Sequence, residues 1–195
     1  MIGQPGMRPY SERSADLYET PAAATAALLR AEGWPPSRIW EPCAGRGAIS
    51  RVLAKAGHTV VSHDIAAYPG ADPDIEVDRD FFNTVDVPIG VERIVTNPPF
   101  KDANRFIRHG LKLGCEVYVL LRLMALEGAG RADLIDRRLT RVWVGIERLP
   151  PMHRDGWTGS KVTSSPVAYA WFVFSPLPRA VDSPVTRRRI SWHAP

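Results

Sequence analysis

The stretch Arg38-Ile39-Trp40-Glu41-Pro42-Cys43-Ala44-Gly45-Arg46-Gly47-Ala48-Ile49 decides the fold. Its first four residues read as a short strand, 38–41. Gly45 and Gly47 then allow a tight turn in which the backbone can approach a ligand and start a helix. That helix is predicted over 48–56 and is closed by Gly57. The β-branched Thr59-Val60-Val61 follow inside a strand predicted over 58–65. Strand, glycine turn, helix and strand make one crossover unit of a parallel sheet. Upstream, Thr20 as cap, Pro21 in the first turn and Gly33 as stop define a helix over 21–32. Downstream come a weaker strand at 75–77, a strand over 93–97 stopped by Pro98-Pro99, and a helix over 102–113 ended by Gly114. A strand over 116–121, a helix over 131–139 and strands over 142–146 and 167–174 complete the pattern. The fold class is α/β, a mostly parallel sheet with helices on both faces. Right-handed crossovers bring the loops that follow the strands to one edge, where such sheets bind ligands.

The strand ends carry the chemistry. Glu41 precedes the glycine turn, where a carboxylate would repel a pyrophosphate but suit a cationic ligand. No Walker lysine follows, which argues against a nucleoside triphosphatase. Asp64 ends the second strand near the spacing at which an acid binds ribose hydroxyls. In Asp80-Phe81-Phe82, an acid that can accept from an exocyclic amine stands beside rings that can cover a purine. The fourth strand ends in Asn97-Pro98-Pro99-Phe100. Two prolines remove two backbone donors and stiffen the loop. Acceptors are then left to point outward beside an aromatic face, a combination suited to a planar amine.

The 195 residues suffice for one full-sized core. Apolar residues are 45% and charged residues 24%, an ordinary globular balance. No apolar run reaches the roughly 20 residues that span a bilayer, and no signal peptide is read at the N-terminus. Two cysteines, Cys43 and Cys115, make neither a disulfide framework nor a four-cysteine zinc site, and His153 has no partner at metal-ligand spacing. No metal is expected, and a reducing, cytoplasmic setting fits. Residues 1–98 carry 9 basic and 13 acidic side chains, and residues 99–195 carry 16 and 8, within a net charge of +4. A basic second half points to a polyanion. Arginine supplies 21 of the 25 basic residues, however, which base composition alone can produce.

In this order the motifs resemble the Rossmann-like, S-adenosylmethionine-dependent methyltransferases of class I. Within them they are most similar to the amino-methylating branch, of the bacterial or phage DNA adenine-N6 type. Tyr18-Glu19-Thr20-Pro21 resembles that family's N-terminal cofactor motif, and the likeness spans roughly 16–175. It implies a seven-stranded sheet with the last strand antiparallel and S-adenosyl-L-methionine as cofactor. Glu41 would face the methionyl ammonium. Gly45 and Gly47 would pass under the cofactor, with Cys43 in the same loop. Asp64 would hold the ribose beside Ile65, and Asp80 and Phe81 would read the adenine, with Phe82 as the alternative packing ring. Tyr18 and Thr20 would reach the methionine carboxylate. Asn97 and the carbonyl of Pro98 would accept the hydrogens of the substrate amine, Pro99 would stiffen the loop, and Phe100 would stack on the target base. Pro42-Cys43 looks like the nucleophile of cytosine-C5 enzymes, yet it lies on the cofactor loop, whereas carbon methylation needs a thiol at the reaction centre.

The implied partner is DNA, with RNA as the alternative and protein glutamine or a silent cofactor-binding module behind them. A single domain is expected over 1–176, with a basic tail over 177–195 that includes Arg187-Arg188-Arg189 and Trp192. The loop over 149–166, with Arg154, Trp157 and Lys161, is the expected nucleic-acid reader. Arg122 and Arg148, at the ends of the fifth and sixth strands, are expected on the same edge.

Overall fold

The computed structural model describes residues 17–150, 152 and 166–193. Around the first crossover, β1 (Arg38–Glu41) pairs in parallel with β2 (Thr59–Ser62) on one side and β3 (Val91–Thr96) on the other. β4 (Glu116–Arg122) continues the parallel run beyond β3. Next in the chain, β5 (Leu139–Gly145) lies one place further out, because β6 (Tyr169–Phe174) inserts antiparallel between it and β4. The last strand, β7 (Thr186–Ile190), runs parallel to β5 at the edge. The sheet order is β2-β1-β3-β4-β6-β5-β7.

Alternation along each strand divides the core in two. Val117, Val119 and Leu121 of β4 and Ala170, Phe172 and Phe174 of β6 meet α3 (Ala103–Lys112) and Leu134 of a short α4 (Ala132–Arg137). Tyr118, Leu120, Trp171 and Val173 point the other way, towards α1 (Ala22–Glu32) and α2 (Ala48–Lys55). A partly buried polar clamp fixes α1 to the sheet. Glu32 accepts from Arg141 Nε at 3.0 Å and from the Trp143 indole at 2.6 Å, while Arg141 also donates to Glu116 at 2.8 Å.

The sheet has the seven strands and mixed direction that the sequence implies, and the segment expected to run antiparallel does so. The roster differs in two places. The segment 75–77 contributes a single bridge, Glu76 to His63, in place of a strand. The seventh strand instead comes from the region read as a tail, so the boundary at 176 does not stand. Three consecutive arginines hide the strand, since all residues of β7 before Ile190 are exposed and no apolar alternation marks it. It is held by pairing with β5 and by Trp192, which is 2% exposed. The Trp192 indole donates to the carbonyl of Glu147 at 2.7 Å, and its backbone N–H donates to the Glu147 carboxylate at 3.0 Å. A Cβ on Gly145 would collide with this indole. One cap also differs: α1 begins after Pro21 with no side-chain cap bond, and Thr20 is buried. The helix stops as expected at Gly33, whose φ of 61° is left-handed.

Trp192→Ala should therefore cost about 3–5 kcal/mol, the range for large aromatic truncations in a core, and Gly145→Ala should lower the melting temperature as well. Thermal denaturation checks both; a wild-type melting temperature for Trp192→Ala would show that β7 is dispensable.

Candidate active site

Gly45 and Gly47 have φ of 58° and 88°, a region that glycine enters without strain. The turn is tied to the end of β2 by Asp64. Its Oδ2 accepts the Gly45 N–H at 2.7 Å and its Oδ1 accepts the Ala66 N–H at 3.0 Å. Burial raises the Asp64 pKa and these N–H bonds oppose the rise. Both carboxylate oxygens thus brace the loop in this conformation, so the ribose contact implied for Asp64 would require sharing an oxygen already bonded to backbone. Close approach to Gly45 is already exploited: a Cβ there would lie 2.5 Å from the Leu17 side chain. Gly47 is covered likewise by the Asp72 carboxylate.

Glu41, at the end of β1, is 1% exposed beneath this turn. Ser50 Oγ bridges it to Ser62, bonding Glu41 Oε2 on one side and Ser62 Oγ, at 2.7 Å, on the other. Burial pushes the Glu41 pKa to about 8, against the Ser50 hydrogen bond. The group is therefore mainly a neutral acid at pH 7. It suits a cation only once a ligand's positive charge draws its proton away. Cys43 is also pushed well above its ordinary value by burial and by Asp64 and Glu41, so it stays a thiol.

The end of β3 supplies the acceptor. Asn97 Nδ2 donates to the carbonyl of Tyr18 at 3.1 Å, which fixes the amide plane. Its Oδ1 is buried with no hydrogen-bond partner among the described residues. An unpaired buried acceptor costs about 1–3 kcal/mol, which a donor from a ligand or a water would relieve. Pro98 is buried, while the Pro99 carbonyl accepts the Asp102 N–H at 2.9 Å and closes the turn into α3. The Phe100 ring lies 5.9 Å from that of Tyr18.

Two clefts meet here. The smaller, about 80 Å³, is lined by Tyr18, Thr20, Glu41, Gly45 and Asn97 among others. The larger, about 340 Å³, is lined by Asp80, Phe81, Phe82 and Arg105 among others. Cys43, Asp64, Ile65 and Pro99 line both. The larger lies within the roughly 300–1,000 Å³ of small-molecule sites; the smaller is narrowed by Leu17, which also lines it. Asp80 Oδ1 accepts the Phe82 N–H at 2.9 Å and so turns the chain. Phe81 is 4% exposed and stacks on Phe106 at 5.1 Å, so its ring serves mainly the core. Phe82 is half-buried, with the Arg105 guanidinium 3.6 Å over its ring. Ile65 is 61% exposed, an apolar side chain standing at the junction of the clefts.

Arg122, the last residue of β4, and Arg148, just beyond β5, are exposed on the edge that carries Asn97. Arg154, Trp157 and Lys161 lie outside the described residues. Among described residues no group of three or more His, Cys, Asp or Glu could hold a metal, and no helix is long and apolar enough to cross a membrane. Sequence reading missed Leu17, Ser50, Ser62 and Arg105. Only Arg105 carried a signal, since it falls in the first turn of the helix that follows Phe100.

No protein-family model matches the chain, and no curated protein does. Solved structures do. One is the modification subunit of a provisionally assigned type I restriction enzyme from Vibrio vulnificus, 12% identical over 87% of this chain, with a TM-score of 0.57. This chain spans 46% of that protein's length. A provisionally assigned RNA methyltransferase from Pyrococcus horikoshii is 17% identical over 81% of this chain and 85% of its own, with a TM-score of 0.55. The magnesium protoporphyrin IX methyltransferase of Synechocystis, solved with bound S-adenosylmethionine, is 15% identical over 79% and 77%, with a TM-score of 0.50. The chain therefore has the fold of the class I, Rossmann-like methyltransferases.

Glu41 also sets a pH dependence. Its folded pKa, about 8, exceeds its ordinary 4.5. The folded state thus holds a proton that the unfolded state has lost between these values, and stability falls as pH rises through the window. Asp64 acts in the same direction. Glu41→Gln should raise the denaturation midpoint at pH 8 relative to wild type and flatten the slope from pH 5 to 8, measured by urea unfolding. A wild-type slope in the variant would contradict the buried acid.

Proposed function

We propose that the chain transfers a methyl group from S-adenosylmethionine to the N6 amine of adenine in DNA. One observation carries this reading. Asn97 has an immobilised amide whose buried Oδ1 lacks a partner among the described residues, in a loop that also presents Phe100 and borders the clefts at the glycine turn.

The residues present fit such a cofactor. Tyr18 and Thr20 wall the smaller cleft, Glu41 beneath it can ionise beside a ligand's ammonium, and the side chains of Leu17 and Asp72 that cover the glycine turn would give way to a ligand. Asp80, Phe82 and Ile65 offer an acceptor and apolar faces to an adenine in the larger cleft. Bound there, S-adenosylmethionine supplies a methyl group already activated on a sulfonium, so no protein nucleophile is required. The protonated Cys43 is consistent with that chemistry.

What remains for the protein is the amine, whose lone pair is delocalised into the ring. Asn97 Oδ1 and the Pro98 carbonyl accept its two hydrogens, favour the pyramidal nitrogen and stabilise the positive charge that develops. Holding nitrogen and methyl in line contributes further. Phe100 stacks on the base, an interaction worth about 1–3 kcal/mol, which offsets part of the cost of turning the base out of a duplex. The same chemistry admits adenine in RNA, and the assay separates the two.

The protein is incubated with methyl-labelled cofactor and DNA, RNA or protein, and the product is digested to its units. Labelled N6-methyldeoxyadenosine is the expected product. N6-methyladenosine would assign the enzyme to RNA, and labelled glutamine to protein. Cofactor binding without transfer would leave only a binding module. Asn97→Ala should abolish transfer while cofactor affinity, read by calorimetry, changes little; equal loss of binding would move Asn97 to the cofactor side.

A further inference from the structure

A third cleft, of about 400 Å³, shares no lining residue with the two at the glycine turn. Phe100, next to Pro99, is its link to them. Its outer wall is the turn that follows β4. The 3₁₀ turn Leu123–Leu126 leads through Glu127 and Gly128, with φ of 99°, into a second at Ala129–Arg131. Arg131 Nη1 donates to the carbonyl of Ala125 at 3.3 Å, which braces this turn.

Two features of the cleft are unusual together. Met124, on its wall, is 61% exposed, and Leu126 beside it is 39% exposed. Large apolar side chains are thus presented to water on the edge where the sheet places its reactive loop. Their neighbours are cationic. The Arg122 guanidinium lies 4.7 Å over the Phe100 ring, Arg131 lines the same cleft, and Glu127 is the one acid on its lining. An apolar side chain flanked by arginines beside an aromatic floor has the make-up of a nucleic-acid wedge. Arginines take the phosphates, and Met is among the side chains that insert between bases.

We infer that the cleft between Phe100 and the turn after β4 takes the target strand of duplex DNA, and that Met124 fills the gap in the base stack left by the extruded adenine. The inference rests on the adenine-methylation reading above and specifies its substrate as a duplex. Extruding a base costs a few kcal/mol in lost pairing and stacking, and much less in a single strand. A wedge repays that cost only where a gap exists. Arg122 must leave the Phe100 face as the base arrives, which frees its guanidinium for a phosphate.

The test compares wild type, Met124→Ala and Met124→Leu on one oligonucleotide sequence, presented as a duplex and as a single strand at fixed salt. The ratio of duplex to single-strand kcat/KM is read from labelled methyl transfer. Met124→Ala should lower that ratio about tenfold, the scale of a partly lost stacking interaction, and Met124→Leu should restore most of it. Met124 is exposed, so all three should melt alike. An unchanged ratio in Met124→Ala, or wild-type transfer confined to single strands or RNA, overturns the wedge while leaving methyl transfer intact. Absence of transfer by wild type to any polymer overturns the methylation reading itself, and the wedge with it.

Discussion

The hydrogen bond from Asn97 Nδ2 to the carbonyl of Tyr18, at 3.1 Å, is the constraint on which the site depends. It joins the end of β3 to the segment just before α1, across 79 residues of sequence. Two consequences follow. The amide cannot turn over without losing its donor bond, so Oδ1 is committed to the side where nothing in the described residues meets it. The segment containing Tyr18 is also held across the glycine turn, with Leu17 against Gly45 and Thr20 lining the same cleft. The bond therefore sets the direction of the acceptor, while the roof of the neighbouring cleft is held by the burial of Leu17 and Thr20 themselves.

The parallel run of β1, β2 and β3 is what brings the other groups to that place. Glu41 ends β1, and Asp64 and Asn97 follow β2 and β3; the three strands run the same way, so all three residues arrive at one edge despite their separation in sequence. Polarity there is managed by pairing. Asp64 is satisfied by two backbone donors and Glu41 by Ser50. Among the described residues Asn97 Oδ1 is left without a donor, as are the neighbouring Thr96 hydroxyl and Asn104 Oδ1. A buried acceptor without a donor is a local cost that a packed core avoids, and that of Asn97 lies in the loop most suited to an aromatic amine.

Much of this was legible in the residues. The glycine turn and the helix stops at Gly33, Gly57 and Gly114 are short-range signals whose physics is local, and these glycines have the positive φ such turns require, whereas the strand expected over 58–65 stops at Ser62. The segment 167–174, a continuous apolar run, is buried at every position from Tyr169 to Phe174. What failed depended on partners distant in sequence. β7 is written almost wholly in exposed residues, and its anchor is a tryptophan that packs back on Gly145. The segment 75–77 had apolar ends but only one bridging partner. Phe81 and Phe82 could not be told apart by sequence; both rings meet Phe106, but Phe81 is fully inside the core while Phe82 is half-buried under the Arg105 guanidinium. The neutral state of Glu41 was likewise hidden, because it arises from the depth of burial, which outweighs the opposing hydrogen bond from Ser50 nine residues later.

A crystal structure of the protein with a cofactor analogue and an adenine-containing oligonucleotide tests the central claim most directly. The account requires Asn97 Oδ1 within about 3 Å of the adenine N6, a normal hydrogen-bond distance, with Nδ2 still on the Tyr18 carbonyl. An Oδ1 bonded to the cofactor, or turned into the protein with the adenine elsewhere, would contradict it.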